Sequence, residues 1–175
     1  SARPSSLSGQ FWKGRSTKTT ITATRRDGSD VTIDGAAYDA FESNVHGDVI
    51  TPESDGYDTA RSVWNGMIDK RPALIVKCSG VSDVVNAVRF AREHDLVIAV
   101  RGGAHNVAGH GTSDGGLLID LSGMKGVRVD PATKTAHAQA GLTWGEFDDE
   151  TQAYGLATTG GTVANTGVAG LALGG

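Results

Sequence analysis

The chain has 175 residues, 38% of them hydrophobic and 21% charged, with a formal net charge of −4. This is the composition of a folded domain with a core, not of a disordered segment, and its scattered basic residues argue against nucleic-acid binding. No apolar run approaches the ~20 residues that a membrane-spanning helix needs, and the first residues lack the apolar stretch of a signal peptide, so a cytoplasmic location is expected, with secretion after removal of a leader as the alternative.

Residues 1–18, rich in Ser, Arg, Lys and Thr, are expected to form a mobile tail. Residues 19–25 read as a short strand or a continuation of that tail. The helical spacing of Ala37, Tyr38, Phe41 and Val45 predicts a helix over 36–45, followed by a turn at Pro52. A short helix over 57–64 stops at Asn65-Gly66. Residues 73–77 read as a strand ending beside Cys78, the one cysteine, which permits no internal disulfide and is expected to be a small buried residue. Val81, Val84, Val85, Val88 and Ala91 predict an amphipathic helix with Ser82 and Asp83 as capping candidates. Residues 96–100 form the next strand, and this β-α-β order predicts that the two strands are parallel. A further strand covers 117–121, and 127–129 with 135–140 flank Asp130-Pro131-Ala132-Thr133 as a hairpin. Thr143 and Glu146 spell a capping box, with Trp144, Phe147, Thr151 and Tyr154 along one helix face and Gly155 as the stop. Residues 158–175 are punctuated by glycine and carry few charges, so they are expected to form a loop. A chain ending inside such a pattern is expected to be the N-terminal portion of a longer protein.

Glycine is the compositional outlier, with 25 residues in 175, about twice the ~7% of ordinary proteins. The glycines gather between 102 and 116 and between 155 and 175, which suggests binding loops lined by backbone. The apolar strand 96–100 runs straight into Arg101-Gly102-Gly103-Ala104-His105-Asn106, with Gly109 beyond. Glycines let backbone N–H groups approach a ligand closely, and successive N–H groups can form an anion-binding nest. The adjacent imidazole is a candidate nucleophile or ligand. Together these residues point to a phosphate-bearing cofactor beside a reactive histidine.

Three segments share one resemblance. They are the Arg101–Asn106 motif with Gly109, then Gly115-Gly116 through Asp120 to Met124, then Gly160-Gly161 through Gly167 and Gly170 to Gly174-Gly175. Their order, spacing and intervening strands resemble the FAD-linked oxidases of the vanillyl-alcohol oxidase superfamily, in the berberine-bridge-enzyme-like branch. Tyr57-Asp58-Thr59-Ala60-Arg61 with Trp64-Asn65 and Pro72-Ala73 is also similar to the opening of bacterial members. The resemblance covers about 36–175. It implies an α+β fold, the two-lobed PCMH-type FAD-binding fold, incomplete at its C-terminal end. Residues 19–175 would form the domain, with a first lobe of about 36–101 and a second of about 102–175.

In the same family the pyrophosphate lies along backbone amides that correspond to residues 102–106, and His105 matches the position that attaches to the flavin 8α-methyl carbon. A second linkage, through cysteine, would fall at Val163, which cannot form it, so attachment through His105 alone is expected. Thr166 matches a position that influences oxygen access, and its size favours oxidase behaviour. The resemblance thus implies FAD contacts at Arg101, Gly102, Gly103, Ala104, His105, Asn106, Gly109, Gly160, Gly161, Thr162, Val163, Thr166, Gly167 and Gly170. It implies FAD and a small-molecule substrate as partners, and oxidation of an alcohol, sugar or amine by hydride transfer to flavin N5. The rest of a longer chain would supply the substrate-binding and proton-transfer residues. The competing reading is a non-catalytic flavin-binding or protein-binding fragment.

Other chemistry fits the residues less well. His105, His110 and Asp114 match no common ligand spacing, so no metal is expected. There is no Gly-x-Ser-x-Gly elbow and no Gly-Lys-Ser/Thr, which disfavours a serine hydrolase and a nucleoside triphosphatase. Asp120 is expected to cap a turn at a strand end. Arg101 could face the pyrophosphate or pair with a local acid. Trp64 and Trp144 are expected to anchor the core or an interface, and His46, His94 and His137 to lie on the surface without partners.

Overall fold

A computed structural model describes residues 20–174. The expected tail, 1–18, lies outside the described residues. Strands β1 (Ile21–Thr24) and β2 (Asp30–Ile33) pair as an antiparallel hairpin. Helix α1 (Gly35–Ser43) follows, its first amides capped by the Asp34 carboxylate. Then come β3 (Asp48–Ile50), α2 (Tyr57–Arg61), β4 (Leu74–Lys77), α3 (Val81–Glu93), β5 (Ile98–Arg101) and β6 (Leu117–Asp120). Strands β7 (Val127–Asp130) and β8 (Thr135–Ala138) make the expected hairpin, before α4 (Trp144–Gln152) and α5 (Val168–Gly174).

The central sheet has the order β3-β4-β6-β5, with β3 antiparallel and the other three parallel. β4 and β5 are therefore parallel, as their β-α-β order requires, but they do not touch, because β6 inserts between them. A lobe boundary between 101 and 102 would cut through this sheet. Every residue of β6 is buried, as its unbroken Leu117-Leu118-Ile119 run demands of a strand covered on both faces. Leu74, Val76, Leu117 and Ile119 face α1, α3 and the β1–β2 hairpin, where Phe41 stacks on Phe90 at 4.1 Å between ring centroids. Ile75, Leu118 and Ala99 face α2 through Tyr57 and Ala60.

Several elements depart from the sequence expectation. β2 was not expected, and β3 is too short, at three residues, to show a period. α5 occupies part of the stretch expected to be loop, and none of its residues is buried. Asp83 does not cap its own helix, and Ser82 is exposed; the position before α3 is Gly80. The fully buried Asp83 carboxylate instead accepts from the amides of His46 (2.9 Å), Gly47 (3.1 Å) and Ser79 (2.9 Å) and from the Ser79 hydroxyl (2.9 Å). Burial opposes its ionisation, but these donors outweigh that and hold the carboxyl well below its ordinary range. His46, expected to be unpartnered, places Nδ1 3.3 Å from the same carboxylate, and His94 rests on Phe90. Tyr154 lies beyond the end of α4 and is exposed. Cys78 is buried, which pushes its thiol up to about 11.

Candidate functional site: a backbone-lined cleft at the end of β5

β5 delivers Arg101 to the edge of a cleft of about 280 Å³. The Arg101 side chain is buried and engaged by protein groups. Its Nη2 donates to Asp120 Oδ2 at 2.6 Å and to the Ala60 carbonyl at 2.6 Å, and its Nη1 to the Ser62 carbonyl at 3.1 Å. Of the two sequence readings, pairing with a local acid holds. Asp120 also accepts from the Ser122 amide at 3.0 Å, the turn cap that was expected. Burial opposes ionisation of Asp120, but the Arg101 guanidinium outweighs it and the carboxyl stays below its ordinary range.

Beyond Arg101 the backbone turns polar and open. Among the described residues, the amides of Gly102, Gly103, Ala104, His105 and Asn106 donate to no protein atom. Ala104 is left-handed, with φ +60°, a conformation that costs an L-residue roughly 1–2 kcal/mol. The Trp64 amide braces it by donating to the Ala104 carbonyl at 3.1 Å. Of the two places expected for Trp64, core or interface, its 63% exposure excludes the core; its indole stacks on His105 with 5.4 Å between centroids and 22° between planes. The Asn106 side chain accepts from the His110 amide at 2.9 Å, closing the loop. Gly109 adopts φ +74° against Ile68, so both its handedness and its lack of a Cβ are used.

The second glycine segment contributes Asn165 to the cleft lining and packs on the first loop at Gly103. Thr143 carries the expected capping box with Glu146, starting α4. Backbone bonds from Trp144 N to the Thr166 carbonyl (3.0 Å), Gly145 N to Ala164 (2.8 Å) and Val168 N to Leu142 (2.9 Å) lock 164–168 onto that start. A Cβ on Gly167 would lie 2.6 Å from the Gly103 nitrogen, so the two loops meet backbone to backbone. Gly160 and Gly161 lie against the Trp144 ring, where a Cβ on either would collide with the indole. The buried Trp144 Nε1 has no partner among the described residues. The Val163 side chain is exposed, while its carbonyl accepts from the Thr166 hydroxyl at 2.8 Å. Thr162 is exposed, and Gly170 sits on α5 in open space.

Of the expected cofactor contacts, the cleft is lined by Arg101, Gly102, Gly103 and Ala104, and it leaves His105, Asn106, Gly109, Gly160, Gly161, Thr162, Val163, Thr166, Gly167 and Gly170 outside its lining. Ser62, Ser122, Lys125, Gly141 and Asn165 line it without having been singled out in the sequence, and Thr143 was singled out only as a helix cap. Ser122 had a usable signal, since it follows a strand end that abuts the loop. Ser62 and Asn165 had none. Asp114 is engaged by the Arg71 amide at 2.8 Å, away from His105 and His110.

An amide-rich loop at a strand end, beside a histidine and packed against a second glycine loop, defines an α+β domain that binds a phosphate-bearing cofactor. Comparison with known proteins names the cofactor. An FAD-binding domain family matches residues 72–175. The chain is 37% identical over 132 residues to (R)-6-hydroxynicotine oxidase of Paenarthrobacter nicotinovorans, covering 75% of this chain and 29% of that protein. The solved BBE-like 1 of Physcomitrella patens superposes with a TM-score of 0.71 at 29% identity, over 79% of this chain and 30% of the other. Xylooligosaccharide oxidase from Myceliophthora thermophila C1, solved with xylobiose, gives 0.68 at 30% identity, over 77% and 29%. The chain belongs to the FAD-binding domain family and FAD is its cofactor; its relatives include FAD-linked oxidases and a BBE-like protein. It spans less than a third of the length of these relatives.

Proposed function

We propose that this chain is the flavin cradle of an FAD-dependent oxidase, with the flavin bonded to His105. The observation that carries the reading is the run of undonated amides at residues 102–106, beside a histidine whose ring nitrogens bond no described residue. The fit to FAD is good. The amides supply neutral donors for a pyrophosphate, and the Gly103–Gly167 contact holds the two glycine loops together. Ser122, Thr143 and Asn165 add polar side chains to the same cleft. Gly160, Gly161, Thr162, Val163 and Gly170, outside the lining, would act only as support for the second loop.

Bound FAD supplies hydride acceptance at N5, with dioxygen as the final electron acceptor. This chain binds, orients and shields that ring. Attachment at His105 forms a bond from an imidazole nitrogen to the 8α carbon. The imidazole N–H and one methyl C–H break, and the two hydrogens with their electrons end on dioxygen as hydrogen peroxide. No cysteine can add a second bond, because Val163 stands at that place. The oxidase names of the relatives support an amine, alcohol or sugar as the substrate class. The small share of those relatives that the chain spans favours a second reading: a cradle that binds flavin but does not turn over without substrate-binding residues from elsewhere.

The test is an absorption spectrum followed by acid precipitation. A yellow pellet is expected from the native protein, and a colourless pellet with yellow supernatant from His105→Ala. Colour released wholly to the supernatant by the native protein overturns the covalent bond.

A further inference from the structure

We infer that Trp64 is a positioning residue for His105, and that segment 60–65 is a strap that fixes the cofactor loop from outside. The inference rests on the reading of His105 as the flavin attachment point. Four bonds sew the strap to the loop. Arg101 Nη2 donates to the Ala60 carbonyl (2.6 Å) and Nη1 to the Ser62 carbonyl (3.1 Å). The Trp64 amide donates to the Ala104 carbonyl (3.1 Å), and Asn65 Nδ2 to the Val107 carbonyl (2.8 Å). Arg101 is itself locked by buried Asp120, so the strap is registered to the sheet through β5 and β6. This register brings the Trp64 indole onto the imidazole at 5.4 Å.

Nothing in the packing of the core calls for a tryptophan here, since the side chain is 63% exposed. An exposed indole held rigidly at its own amide is poorly explained by burial and well explained by the ring it covers. His105 has no hydrogen bond to a described residue that would set its ring angle, and stands next to the left-handed Ala104. The indole is thus the one aromatic ring stacked on it among the described residues. A nucleophile held in line with its target gains rate because the orientation is fixed before reaction.

The test compares Trp64→Phe, which keeps a flat ring, with Trp64→Leu, which keeps bulk alone. In flavin-free protein, the native His105 ring protons should be shifted by the indole ring current and show a nuclear Overhauser contact to it. After FAD is added, acid-stable flavin should form at near-native rate in Trp64→Phe and on the order of tenfold more slowly in Trp64→Leu. Equal rates in the native protein and Trp64→Leu, or no indole–imidazole contact in the native protein, overturn the inference. Failure of the underlying reading looks different: the native protein would then form no acid-stable flavin at all, or His105→Ala would still acquire it.

Discussion

The two loops that meet at the cleft are both glycine-rich, but they are held in different ways. The 101–109 loop is fastened by side chains: Arg101 to Asp120 and the strap carbonyls, Asn65 to Val107, and Lys70 to Gly109 at 2.9 Å. The 160–168 loop is fastened by backbone bonds to the start of α4 and by the Trp144 ring beneath Gly160 and Gly161. The first loop can be loosened by removing a charge. The second can be loosened only by forcing atoms into a contact that has no room. Glycine therefore means close approach in both places: to backbone at Gly102 and Gly103, and to the Trp144 ring at Gly160 and Gly161.

The largest effect should come from the first loop's anchor. Asp120→Asn leaves the Arg101 guanidinium buried without its counter-charge, and should cost about 3–5 kcal/mol in denaturant unfolding. The pH dependence follows from the same pair. Asp120 titrates below its unfolded value, so its contribution is present above the ordinary carboxylate range near ~4 and is lost as pH falls through its folded value. Asp83 acts in the same direction, so Asp120→Asn should flatten acid unfolding without abolishing it. Next is Gly167→Ala, whose Cβ would meet the Gly103 backbone. It should cost ~1–3 kcal/mol and weaken FAD binding in a flavin titration, since it pushes the two loops apart. Smallest, and most discriminating, is Gly160→Ala. It should destabilise in calorimetry by ~1–3 kcal/mol on its own and by much less in a Trp144→Leu background, because the clash is with the indole. Gly167→Ala should gain nothing from Trp144→Leu. Equal rescue of both would erase the difference between the loops.

Much of this architecture was readable in the sequence. The strands at 74–77, 98–101 and 117–120, the α4 capping box and the β7–β8 hairpin follow from apolar period and turn chemistry. The loop at 101–106 was legible because glycine and histidine at a strand end have few structural uses. The insertion of β6 between β4 and β5 was not legible, since strand order depends on contacts far apart in sequence. Neither was the role of Trp64: an isolated tryptophan in a polar stretch reads as an anchor until its neighbour is known. Arg101 could not be resolved in sequence because Asp120, its partner, is 19 residues away. Gly160-Gly161 reads like Gly102-Gly103, and only the ring under it reveals the difference.

Peptide mapping tests the account most directly. Tryptic cleavage after Arg101 and Lys125 releases one peptide, residues 102–125, that holds both His105 and His110. In the native protein, fragmentation should place the flavin on the imidazole of His105, with His110 unmodified. Flavin on any other residue, or an unmodified peptide from protein that carries a full complement of FAD, would contradict the account.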